Sequence, residues 1–201
     1  STPLYSSAAS DVYKRQTHNR VLGMAGGVYL EVIAIDPDAP APQRPRWFGL
    51  DQPALRARLA DGPFLAHWAA RVSAPDDLSD WQARHPDRIA PAIPMTRGDL
   101  RWRLTVPDDG SLPSWRDSDQ AAGDGLLPTL IQWDVDAYPG VSLPRQPLTL
   151  LSLTGTHPRA ALLRQGLAWL GADHLITIDQ ADGPPRLQAR IETAQGVKTL
   201  T

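Results

Sequence analysis

Along this chain the spacing of apolar residues switches between two periods, and each switch marks an element. From Val28 the run VYLEVIAID carries aromatic and β-branched residues between Gly26-Gly27 and Pro37, which predicts a strand, with Val21 to Met24 a shorter strand before it. A Pro-rich stretch from Asp36 to Arg46 is expected to be extended loop, because its prolines cannot donate backbone hydrogen bonds. Leu55 and Leu59 in QPALRARLA mark a short helix, with Asp51 as its cap and Gly62-Pro63 as its stop. FLAHWAARVS then reads as a strand and LSDWQARH as a helix entered from Pro75-Asp76-Asp77. In DLRWRLTV, Leu100, Trp102, Leu104 and Val106 alternate with Arg101, Arg103 and Thr105, the period of a half-buried strand.

The Asp, Gly, Ser and Pro content of 107–125 predicts a long hairpin loop or flap, after which LLPTLIQWD is the next strand. A strand LTLLSLTG follows. A helix from Pro158 repeats Leu163, Leu167 and Leu170 at helical spacing and ends at Gly171, with His157 capping it. HLITID, PRLQARIET and VKTL complete the chain as strands. The order strand, helix, strand, strand, strand thus occurs at about 64–134 and again at about 148–200, which predicts an internal repeat.

Composition narrows the chemistry. The 201 residues suffice for a real core in one large domain or two small modules. A net charge of -2 and a pI near 6.2 offer no basic field for a phosphate backbone, so nucleic acid is not an expected partner. With no cysteine there is no disulfide, thiolate metal site or cysteine nucleophile, and any metal must sit on His, Asp, Glu or Gln. No apolar run reaches the roughly eighteen residues of a membrane span and no signal-peptide pattern is present, so no membrane partner and a cytoplasmic location are expected. No GxSxG elbow occurs, and neither phosphate-binding glycine motif is present, which argues against a nucleotide cofactor.

Residues 1–16, STPLYSSAASDVYKRQ, lack any apolar period, and Asp11 to Gln16 resembles a translated transposon sequencing adapter. The segment is expected to be non-native, with whatever preceded Thr17 lost; an ordinary tail is the alternative.

THNRV (17–21), YLEVIAID (29–36), LRWRL (100–104) and PTLIQWD (128–134) resemble, in order and approximate spacing, the glyoxalase-like family called Glyoxalase_3, within the vicinal oxygen chelate superfamily and its bacterial members. The resemblance implies an α+β fold of paired βαβββ modules whose curled mixed sheets form a cup, with the first module truncated at its N-terminus. Its expected divisions are 17–62 for the rest of the first module, 63–140 for the second, and 141–201 for a C-terminal strand-helix-strand-strand unit packed on the others. The superfamily often holds a divalent metal at strands of two modules. Carried over to this chain, Glu31, His67 and Gln132 are the candidate ligands, although glutamine brings no charge to the cation.

Other residues offer sharper and plainer roles side by side. Glu31 is a ligand or substrate contact, or one half of a structural ion pair with an arginine. His67 is a ligand or a hydrogen-bonded, half-buried histidine. His18 and Asn19 lie at the cup mouth or form a turn. Arg101 and Arg103 clamp a substrate carboxylate or face solvent, and Trp133 is a binding platform or core, as is Trp102. The functional expectation is a metal-dependent lyase, isomerase or dioxygenase acting on a small oxygen-rich substrate. The alternative is a metal-free protein that binds or sequesters a small molecule. A homodimer is a further expectation, since a cup can close within one chain or between two.

Overall fold

The computed structural model describes residues 16–201 and is a mixed α+β fold with four helices and curled sheets. The reading of residues 1–16 as non-native lies, Gln16 apart, outside the described residues. None of the described helices is long and apolar enough to cross a membrane.

The chain opens with an antiparallel hairpin, β1 (Thr17–Gly23) and β2 (Tyr29–Ile35), joined through a 3₁₀ turn at Ala25–Gly27. That turn needs left-handed backbone at Gly26 and Gly27, with φ of 73° and 77°, which glycine adopts without steric cost. Helix α1 (Pro53–Ala60) follows, starting with proline at its first turn. Its expected cap is corrected: Gln52 stands at the N-cap with no side-chain bond, because Asp51 is engaged by Arg46, Oδ1 to Nη1 at 2.6 Å and Oδ2 to the backbone N at 2.7 Å.

A four-stranded sheet forms the middle of the molecule, in the order β3 (Ala69–Arg71), β8 (Thr129–Trp133), β5 (Leu100–Thr105), β4 (Ala92–Arg97). β3 runs parallel to β8, and the other pairs are antiparallel. The strand predicted over 64–73 shrinks to three residues. β4 was not foreseen at all, and it sits at the sheet edge, where Pro94 is tolerated because no outer partner needs its missing N–H. Helix α2 (Leu78–Arg84) is capped by Asp77, whose carboxylate accepts from the N–H groups of Ser79 and Asp80. It covers one face of the sheet, packing Leu78 with Ala70, Ile89 and Leu130.

The stretch 107–125, expected as a long hairpin loop or flap, is a hairpin with short strands packed on the core rather than a flap. It contains the hairpin β6 (Trp115–Asp117) and β7 (Gln120–Ala122), whose Trp115 and Ala122 are buried against helix α4 (Ala160–Trp169). α4 follows β9 (Thr149–His157) and a short helix, α3 (Pro139–Ser142), precedes it. The second four-stranded sheet has the order β10 (Thr177–Gln180), β9, β11 (Arg186–Thr193), β12 (Gly196–Leu200). α4 lays Leu162, Leu163 and Leu167 on Ile178 and Leu187. Each of those leucines contributes on the order of 1.5–3 kcal/mol by leaving water. The predicted order of strand, helix and three strands is met by β9, α4, β10, β11 and β12, whereas the first unit carries the extra β6–β7 hairpin between β5 and β8, and strand order differs as well. In the first sheet the strands on either side of the helix lie at opposite edges, and in the second they are parallel neighbours.

Candidate functional site

Cross-strand register decides what the hairpin presents. Residues paired directly across an antiparallel ladder share a face, so Thr17, Asn19, Val21 and Gly23 stand with Ile35, Ile33, Glu31 and Tyr29. Ile33 and Ile35 of this face pack on the core of Met95, Trp102, Leu104 and Ile131, which is the sheet face turned away from α2. The polar members of the hairpin face, Asn19, Tyr29 and Glu31, thereby look toward the same sheet face, which adds Arg97 from β4 and Trp133 from β8.

Asn19 links the two layers. Its Nδ2 donates to Glu31 Oε1 at 2.5 Å, and its Oδ1 accepts from Arg97 Nη2 at 3.0 Å. Glu31 keeps an open surface, yet burial by the surrounding protein is the main force on its carboxyl and raises its pKa above the usual range. The Asn19 bond and the Arg97 charge pull the other way without cancelling the rise. Burial likewise lowers the pKa of Arg97, with Glu31 and Tyr29 opposing it. Tyr29 is pushed above the ordinary phenol range by burial first, then by Glu31 and Tyr138, so it stays a neutral hydroxyl.

One wall of the face is aromatic. Trp133 lies between Trp102, at 5.2 Å between ring centroids, and Tyr138, stacked at 5.8 Å. Tyr138 accepts a hydrogen bond from Arg71 Nη1, and the Arg71 guanidinium stands 4.9 Å from the tyrosine ring centroid. Arg71 pairs with Ile131 in the β3–β8 ladder, which puts it on this same sheet face.

Of the residues chosen from sequence, Asn19, Glu31 and Trp133 meet here and the others do not. His18 is paired with Ala34 on the opposite, exposed face of the hairpin. Gln132 points to α2: its Oε1 accepts from Leu78 N and its Nε2 donates to Asp76 O, both at 2.8 Å, so its amide is spent on backbone. Arg103 is also on the α2 side, bound to both oxygens of Asp77, to Ser79 Oγ and to Asp134, while exposed Arg101 Nη1 donates to Asp99 O. His67 packs its ring on Phe48 and uses both nitrogens: Nδ1 on Gly125 O at 3.2 Å, Nε2 on the hydroxyl and N–H of Thr129 at 2.8 and 3.2 Å. Since a backbone carbonyl only accepts, the proton sits on Nδ1. Burial brings its pKa down to about 4, which keeps the ring neutral.

The three candidate metal ligands are thus not assembled. Among the described residues no three His, Asp or Glu side chains come together in a way that would hold an ion, and the carboxylate that remains already accepts from Asn19 and faces a guanidinium. These residues do not fit a resident divalent cation. Sequence reasoning missed Arg97, Tyr138 and Arg71, each brought in by tertiary packing from a short edge strand or a loop. Among the described residues, depressions of about 480 Å³ beside Leu22, Leu148 and Lys198 and about 300 Å³ beside Arg88 and Trp115 lie away from this face. Neither gathers comparable chemistry, so polar convergence rather than volume picks out the Glu31 face.

No curated protein and no solved structure matches the chain. A family model, Glyoxalase_3, described as a glyoxalase-like domain, matches residues 7–171, a span that takes in Glu31 and all the residues of this face. With most of its length matched, the protein belongs to the glyoxalase-like domain family.

Proposed function

We propose that this protein binds a small hydroxylated molecule on the Glu31 face without a resident metal, with Glu31 as the polar anchor and Trp133 and Tyr138 as the flat wall beside it. The observation that supports this reading is Glu31 itself, an accessible carboxyl with raised proton affinity, held by Asn19 and opposed by Arg97. Such a group accepts a hydrogen bond from a hydroxyl or an enol. Where the bound molecule carries an acidic proton, Glu31 is the group placed to take it, because raised affinity brings a carboxyl closer to the pH at which base catalysis is effective.

A second reading rests on the same residue. Glu31 stands where the family resemblance implies a carboxylate ligand, so a metal-dependent lyase, isomerase or dioxygenase remains the competing function. One experiment separates the two. Metal-stripped protein is titrated with 4-hydroxybenzamide, a neutral phenol, by ligand-observed NMR, beside Glu31→Gln. Saturable binding in the presence of chelator, weakened about tenfold or more by the substitution, supports the metal-free site. Binding that returns only with added manganese or zinc, together with metal uptake abolished in Glu31→Ala, would replace it with the metalloenzyme. Glu31→Gln is expected to keep its fold, since it removes a desolvated charge and leaves an amide that can still meet Asn19.

A further inference from the structure

At the far end of the aromatic wall stands a cation with no assigned task. Arg71 extends from β3 onto the same sheet face as Ile131 and Trp133. Its guanidinium is held by the Tyr138 hydroxyl and the tyrosine ring, and Tyr138 is itself stacked on Trp133. Other arginines of this region spend their charge within the protein. Arg46 is paired with Asp51, Arg103 with Asp77 and Asp134, and Arg97 faces Glu31. Among the described residues no carboxylate pairs with Arg71. A guanidinium fixed by an aromatic ring and one hydroxyl keeps most of its five donors, in the planar fork that matches a carboxylate.

The two ends of the face are coupled through its middle. Tyr29 lies within electrostatic reach of Tyr138 on one side and of Glu31 and Arg97 on the other. A ligand lying along Trp133 therefore meets a cation with donors to spare at one end and a hydrogen-bond-accepting carboxyl at the other. We infer that the ligand is a hydroxylated aromatic or conjugated carboxylic acid, its carboxylate taken by Arg71 and its hydroxyl by Glu31. Arg71 is then the specificity-determining residue and Tyr138 its positioning residue. The inference rests on the metal-free binding reading above and adds the charge of the ligand to it.

The test compares 4-hydroxybenzoate with its neutral isostere 4-hydroxybenzamide on wild-type protein, Arg71→Gln and Tyr138→Phe, all by ligand-observed NMR. Wild type should prefer the acid by about tenfold or more, a typical margin for a charge-assisted pair. Arg71→Gln should bring the two probes to equal affinity. Tyr138→Phe, which keeps the ring and loses only the hydroxyl, should narrow the gap in part, and it decides the matter if Arg71→Gln binds neither probe. Equal affinity in wild type, or a preference that survives both substitutions, overturns the role of Arg71 while leaving the Glu31 site intact. If wild type binds neither probe, the inference falls together with the reading it rests on.

Discussion

At the scale of single residues, His67 shows how a candidate ligand becomes a structural pin. Three bonds to Gly125 and Thr129 join the segment before β3 to the start of β8, and they require the neutral ring with its proton on Nδ1. Because burial brings the folded-state pKa to about 4, below the ordinary 6.5, the unfolded chain binds more protons between those values. The stabilisation is complete above about pH 6.5 and is lost as the pH falls toward 4, with a slope of up to about 1.4 kcal/mol per pH unit. Denaturant midpoints measured from pH 7.5 to 4 should show that slope in wild type and a flatter one in His67→Gln, whose amide can reproduce the donor and acceptor pattern without titrating. An identical slope in both would assign the pH dependence elsewhere.

At the scale of elements, what was legible depended on whether an element's neighbours leave a mark in its own sequence. β5 alternates because one of its faces packs Trp102 and Leu104 while the other carries Arg101 and Arg103, and α4 repeats leucine because a single stripe of it is buried. Glu31 could be read because a carboxylate in an apolar strand is unusual wherever it lies. β4 could not, since Pro91 and Pro94 argue against a strand unless it is known to lie at an edge. The β6–β7 hairpin reads as loop because only Trp115 and Ala122 are turned inward. The two roles of His18, Arg101 and Arg103 stayed open for a related reason: strand periodicity divides residues between two faces but does not say which face meets the hairpin and which meets α2.

Gly166, in the middle of α4, was equally silent. A Cβ there would come within 2.9 Å of the Trp115 indole, so the glycine exists to let the helix close on β6. Gly166→Ala should gain about 1 kcal/mol of helix propensity and lose roughly 1–3 kcal/mol to overpacking. A lower urea midpoint with helical content unchanged is the expected result. A raised midpoint would mean that the hairpin yields to the helix at little cost.

At the scale of the whole molecule, the candidate site spans two layers that are joined more lightly than either is held within itself. The C-terminal sheet and α4 share a continuous core with Trp115 and Leu126, whereas among the described residues the β1–β2 hairpin reaches the central sheet through Ile33 and Ile35, both only partly buried, and the Asn19–Arg97 hydrogen bond. A region with few buried apolar contacts opens at lower free energy than the global fold. The hairpin supplies Asn19, Tyr29 and Glu31, so its docking sets how well they are placed against Arg97 and Trp133. Ile33→Ala should therefore act locally. Amide exchange across 17–23 and 29–35 is expected to quicken by about tenfold or more, the equivalent of roughly 1–2 kcal/mol lost from a half-buried isoleucine. Amides of β9 and β11 should hardly change, and affinity on the Glu31 face should fall with the local opening rather than with the midpoint of global unfolding. Uniform acceleration across both sheets would instead mean that hairpin and central sheet unfold as one unit with the rest, and that the Glu31 face is as rigid as the core beneath it.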